Sequence, residues 1–190
     1  MYVLDVSCSM SSELAKAIAV TDVFCSDGFK ATAVTFTETH QRWAGVKEPH
    51  RHLPTEPHGR NCLEDGWAWM PAHRTELLTH LRNISASGGT DPTSALNYAI
   101  KNAPVGTLIV FISDGMFSHT DGEVDGQRVP GPQTAIRAAQ TWRRKQKLAP
   151  VQMLVWATSE ADSQRESLVE LAKLGGGGLW RADSRKSGPW

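Results

Sequence analysis

Apolar residues in this chain fall into short segments that alternate between a strand period and a helix period. Met1-Tyr-Val-Leu is an apolar run that ends on Asp5, as a short strand would. From about Ser12 to Ser26, Leu14, Ala17, Ile18, Thr21 and Cys25 recur at helical spacing, and Gly28 can stop the helix. Residues 30–37 are rich in β-branched types and predict a second strand. From Glu38 to Arg74 the periodicity dissolves into His, Pro, Gly, Trp and charge, with one short strand near Gln41 to Val46. Order returns at Thr75, where Leu77, Leu78, Leu81 and Ile84 make an amphipathic helix. The next helix follows Asp91, with Asp91 as N-cap, Pro92 at the first helical position and Ala95, Leu96, Ala99 and Ile100 on one face. Thr107 to Ile112 is almost unbroken apolar sequence, the signature of a strand covered on both faces. Met116 to Pro132 reads as a loop, and about Gln133 to Leu148 as a helix with Ala135, Ile136, Ala139 and Trp142 on its apolar side. Val151 to Ala157 is a strand, Leu168, Leu171 and Ala172 mark a helix, Gly175 to Gly178 a tight turn and Leu179 to Arg181 a last strand.

Strands alternating with helices imply right-handed crossovers. The expected architecture is therefore α/β: a doubly wound, mainly parallel central sheet with helices on both faces. One domain spans residues 1–190, interrupted by an irregular insertion at about 38–74. Met1 to Asp5 is short for a central strand, which suggests a chain that starts earlier or an excised domain. In such sheets ligands bind at the carboxyl ends of the strands, near the point where strand order reverses. Asp5 and Asp114 both fall at such ends.

Composition narrows the partners. Twenty basic and twenty acidic residues cancel, so no global field draws the chain to nucleic acid or an anionic membrane. The three cysteines, Cys8, Cys25 and Cys62, form no framework, which favours a reducing, cytoplasmic setting. No apolar run approaches the roughly 20 residues of a membrane span, and the amino terminus carries no export signal.

The candidate chemistry is a set of hard oxygen ligands. Asp5, Ser7 and Ser9 stand on alternate residues directly after the first strand, so one carboxylate and two hydroxyls can converge on a cation. Gly88-Gly-Thr-Asp91 offers Thr90 and Asp91 ahead of a helix, and Phe111-Ile-Ser-Asp-Gly115 ends a buried strand on Asp114. Oxygen-only ligation suits Mg²⁺ or Mn²⁺.

The combination Asp5-x-Ser7-x-Ser9, Thr90 and Asp114, in this order, closely resembles the von Willebrand factor A domain and its metal-ion-dependent adhesion site. The resemblance spans essentially the whole chain. It implies that Ser7 and Ser9 ligate the ion directly, Thr90 directly or through water, and that Asp5 and Asp114 act mostly as acceptors one layer out. It also implies that an acidic residue of a protein partner completes the coordination. Asp91 would cap its helix or hold Ser7 or Ser9 in place by hydrogen bonding. The residue between the serines is often glycine in that family and is Cys8 here, expected as a small buried filler.

Three functions follow as expectations. The first is a non-catalytic, divalent-metal-dependent protein-binding module. The alternative is a component of an RNA-protein complex, because Asp-Val-Ser-x-Ser-Met with Gly-Gly-Thr-Asp is similar to the carboxyl-terminal module of Ro (TROVE) proteins, whose RNA-binding helical ring has no counterpart here. The third is a metal-dependent hydrolase, which would need a second acid two residues after Asp5, where Ser7 stands.

Other features admit plainer readings. His50, His52, His58 and Cys62, flanked by His40 and His73, match no compact zinc spacing and read as a solvated, partner-facing loop. Arg143-Arg-Lys-Gln-Lys147 reads as a solvated helix end, and RNA contact there would need more clustered cations than a neutral chain supplies. Of the seven tryptophans, Trp142 and Trp156 are expected in the core, while Trp43, Trp67 and Trp69 either pin the irregular segment or form a contact surface. Met116, Phe117 and His119 follow Asp114 and are candidates for partner contact or for ordinary loop packing. The four-glycine run lacks the Lys-Ser/Thr of a phosphate loop.

Overall fold

The computed structural model of the chain describes residues 1–24, 30–31, 33–37, 68–69, 78–79, 81–117, 122–124, 127–129, 131–158 and 162–181. The main sheet contains β1 (Tyr2–Asp5), β3 (Ala33–Phe36), β5 (Leu108–Ser113), β8 (Gln152–Ala157) and β9 (Leu179–Arg181), in the order β3-β1-β5-β8-β9. Every pairing in it is parallel. The chain leaves β1 toward β3 on one side, then returns across β1 to lay β5 on the other, so strand order reverses between β1 and β5. Connections from these two strands diverge and leave a crevice at their carboxyl ends.

Helices α1 (Leu14–Phe24), α2 (Thr93–Asn102), α3 (Pro132–Lys145) and α4 (Asp162–Leu174) cover the sheet. Alternation along the strands sends side chains to opposite faces, and two separate cores result. Val3, Phe36, Phe111, Met153 and Val155 meet Leu96 and Ile100 of α2, Ile136 of α3 and Leu168 and Leu171 of α4. On the other face Tyr2, Leu4, Val110 and Ile112 meet Leu14, Ala17 and Ile18 of α1, together with the helical residues Leu78 and Leu81. The doubly wound α/β architecture expected from the periodicity is thus the observed one. No helix among the described residues is long and apolar enough to cross a membrane.

Several details depart from the sequence reading. The single strand expected over residues 30–37 is split: β3 joins the main sheet, whereas β2 (Lys30–Ala31) pairs antiparallel with β4 (Ala68–Trp69). Within the expected loop of residues 116–132, β6 (Gly122–Val124) and β7 (Gln127–Val129) form an antiparallel pair. Three-residue strands are too short to show alternation, but the Asp125-Gly126 dipeptide between them is a hairpin signal in the sequence. The expected strand near Gln41 to Val46 lies outside the described residues.

The carboxyl end of α3 holds the largest correction. Trp142, expected inside, is 38% exposed, while Arg143, expected in solvent, is 1% exposed. Arg143 Nη1 donates to the carbonyls of Ile100 (3.0 Å) and Ala103 (2.6 Å) at the end of α2, and its Nε donates to Ala149 O (2.9 Å). Burial lowers its pKa. The cation is compensated by carbonyls at the negative end of the α2 dipole, which ties α2 to α3 and satisfies acceptors that the helix end leaves without an intrahelical donor. Past it, Leu148 N–H donates to Arg143 O and Lys147 N–H to Arg144 O, closing a Schellman turn with Lys147 in the left-handed region (φ 59°).

The turn from α4 to β9 requires glycine at Gly177, where a Cβ would collide with the Met153 carbonyl. Helix and strand therefore approach backbone to backbone there.

Replacing Arg143 by Met keeps much of the volume but strips donors from three carbonyls. We expect a loss of roughly 2–4 kcal/mol, read from the shift in urea unfolding midpoint at unchanged slope.

Candidate functional site at the carboxyl edge of the sheet

Strand β1 ends on Asp5, whose side chain has no solvent exposure. Its Oδ1 accepts the Ser7 N–H at 2.9 Å, and its Oδ2 accepts the Ser113 hydroxyl at 2.6 Å. Ser113 is the last residue of β5 and in turn accepts the Gly115 N–H through Oγ at 3.0 Å. One carboxylate thus joins the ends of the two strands that flank the switch point. Burial raises the Asp5 pKa to about 6, opposed by the hydrogen bonds from Ser113 and Ser7 and assisted by the negative charge of Asp114.

After Asp5 the backbone turns through a 3₁₀ segment, Cys8–Ser12, before α1 begins. This turn brings Ser7 Oγ and Ser9 Oγ into a hydrogen bond with each other at 3.0 Å. Ser7 is fully buried, Ser9 half-buried. Cys8 is exposed rather than a buried filler, because the fold uses its backbone: the Cys8 N–H donates to Gly88 O at 3.0 Å while the thiol turns outward.

The Gly-Gly-Thr-Asp loop is docked on both neighbours. Ser87 N–H donates to Val6 O (2.9 Å), and Asp91 N–H donates to Thr37 O beyond the end of β3 (2.7 Å). Thr90 between these anchors is buried, 3% exposed. Asp91 Oδ1 accepts the Thr93 N–H at 2.9 Å, so it caps α2 as the sequence suggests, although the helix begins one residue later, at Thr93. Asp114, also 3% exposed, accepts the Met116 N–H at 2.9 Å. Among the described residues neither Asp5 nor Asp114 is ion-paired to a Lys or Arg.

The donor set is one of hydroxyls and carboxylates. No group of three or more His, Cys, Asp or Glu gathers among the described residues, so ligation here would have to use Ser and Thr oxygens. The spacing suits a small cation: two adjacent ligands on an octahedral ion with bonds of about 2.1 Å lie ~3.0 Å apart, the separation of Ser7 Oγ and Ser9 Oγ. Both oxygens of Asp5 accept protein donors, one each.

Of the rim residues, Met116 is 51% exposed, whereas Phe117 packs inward with its ring 6.2 Å from that of Phe111. His119 and the His50, His52, His58, Cys62 cluster lie outside the described residues. Ser113 is the participant that sequence reasoning passed over. Its signal was a lone hydroxyl closing an otherwise apolar strand.

Comparison with solved structures places this architecture. A von Willebrand factor type A protein from Catenulispora acidiphila superposes over 95% of the chain with a TM-score of 0.56 at 14% identity. Proximal thread matrix protein 1 from the mussel byssus aligns over 95% at 12% identity with a TM-score of 0.44. The chain spans 37% and 40% of the lengths of those two chains. No family model matches the chain, and no curated protein matches its sequence. The protein has a von Willebrand factor A-like fold.

Two outcomes check the site without reference to any ligand. Ser113→Ala removes a short bond to a buried carboxylate and should cost about 1–3 kcal/mol in chemical denaturation. The second concerns pH: the Asp5 pKa is higher folded than unfolded, so the stability it contributes is complete below about 4 and is lost as pH rises through about 6. In EDTA the wild type should therefore lose on the order of 3 kcal/mol relative to Asp5→Asn between pH 4 and 7, measured as the difference between their pH-stability curves.

Proposed function

We propose that this domain is a divalent-metal-dependent protein-binding module, with Mg²⁺ or Mn²⁺ held by Ser7, Ser9 and Thr90 and oriented by Asp5 and Asp114. The observation that carries the reading is the 3.0 Å separation of the two serine hydroxyls beside two buried carboxylates. The cation would supply a Lewis-acidic centre that an anionic group can reach. Neutral hydroxyls nearest the ion leave it short of negative charge, and an acidic side chain from a partner protein would satisfy it. Asp5 fixes the loop backbone through the Ser7 N–H, and Ser113 fixes Asp5. Asp91 sets the start of α2 and thereby the position of Thr90. The half-exposed Met116 stands beside Asp114 and supplies apolar contact for the partner.

The reading is of binding without catalysis. A phosphoryl-transfer aspartate would need an acid two residues on, and Ser7 occupies that place with its hydroxyl turned to Ser9.

Titration with Mn²⁺, followed by loss of the free-ion EPR signal, should give one site per chain, weakened at least about ten-fold in Ser9→Ala at unchanged thermal stability. Proteins captured from the native source in Mg²⁺ should elute with EDTA and should not be captured by Ser9→Ala. Capture that is equal in Mg²⁺ and in EDTA would overturn the reading.

A further inference from the structure

A second surface stands apart from the metal edge. Helix α3 runs back along the sheet, so its last turn and the end of α2 lie at the amino edge, the opposite pole from Asp5. Neither Pro92 to Ser113 nor Gln127 to Ser159 contains an acidic residue. The exposed cations of α3 and its end are Arg137, Arg144, Lys145 and Lys147, joined by the half-buried Lys101 of α2. Along the same helix Thr134, Arg137, Ala138, Thr141, Trp142 and Lys145 share one open face. Thr134, Ala138 and Thr141 follow one another at helical spacing as a low stripe flanked by Arg137 and Trp142, with Lys145 in line with it at the carboxyl end.

Two further observations mark this surface. Trp142 is 38% exposed, and the Lys101 Nζ lies over its ring 6.0 Å from the centroid, at the outer reach of a cation–π contact. Lys147 occupies the left-handed position of the Schellman turn, where glycine is the unstrained choice. The chain keeps a cationic side chain at a position that penalises any side chain.

We infer that the outer face of α3 is a docking site for a short acidic segment of a partner protein that also carries apolar side chains. Charge complementarity selects an anion. The character of the surface selects a peptide over a nucleic acid: burial of Arg143 interrupts the basic run, leaving no continuous track for phosphates. Helix α4, which also packs against α3, carries Asp162 as its first residue together with Glu166 and Glu170, and Glu170 is already paired to Lys173 at 2.7 Å.

Fluorescence anisotropy of the whole chain in EDTA, with a fluorescein-labelled peptide of repeated Glu-Glu-Leu and an oligouridylate of matched charge, tests the assignment with the metal edge silent. The peptide should bind more tightly than the oligonucleotide. The Arg137→Glu, Lys145→Glu double variant should weaken it at least about ten-fold, whereas Arg82→Glu should leave it unchanged. Lys147→Gly should raise the thermal midpoint and still weaken the peptide, a pairing that a purely structural role would not produce. Absence of peptide binding, tighter binding of the oligonucleotide, or indifference to both sets of substitutions would overturn the proposal.

Discussion

Keeping the Asp5 carboxylate inside the protein obliges separate segments to meet at one point. Ser113 must arrive from β5 to donate to one oxygen, and the backbone of Ser7 must fold back to donate to the other. Once Ser7 is fixed, Cys8 is placed to take hold of the Gly88 carbonyl, and Asp91 reaches the end of β3. The crevice between diverging connections is a property of the doubly wound topology, but its lining is a property of this one buried charge.

The same demand appears at the opposite pole with reversed sign. Arg143 is a buried cation without a carboxylate, compensated by helix-end carbonyls. In both places an ionisable group sits among several hydrogen bonds, and in both it joins elements far apart in sequence. Such arrangements specify how the layers register more than they add stability, since burial of each ion opposes much of what its bonds contribute.

Much of this was legible in the sequence because strand and helix periods differ. The buried positions of α2, the unbroken β5 and the glycine break before β9 all follow from spacing. Asp5, Ser7, Ser9, Thr90 and Asp114 were legible as residue types at strand and helix ends, whereas Ser113 was hidden as the polar last letter of an apolar run. The exchange of Trp142 and Arg143 has a geometric cause. At 100° per residue Arg143 lies ~20° from Ile136 around the helix and Trp142 ~120° away, so phase favoured the arginine and side-chain type misled. The pairing of β2 with β4 joins segments nearly forty residues apart, and local pattern carries no trace of such contacts.

The connections at the two edges of the sheet differ in length. At the amino edge the chain crosses from helix to strand through Ala103–Thr107, Gln146–Val151 and Gly175–Gly178, short and in the last case packed backbone against backbone. The segments that leave β3 and β5 at the other edge are long, and the second contains a strand pair of its own. Sequence change is therefore unevenly permitted. The amino edge admits few insertions, while the loops around the crevice can be lengthened, shortened or exchanged without disturbing the layers beneath, so a lineage carrying this scaffold can acquire a new binding specificity without having to evolve a new fold.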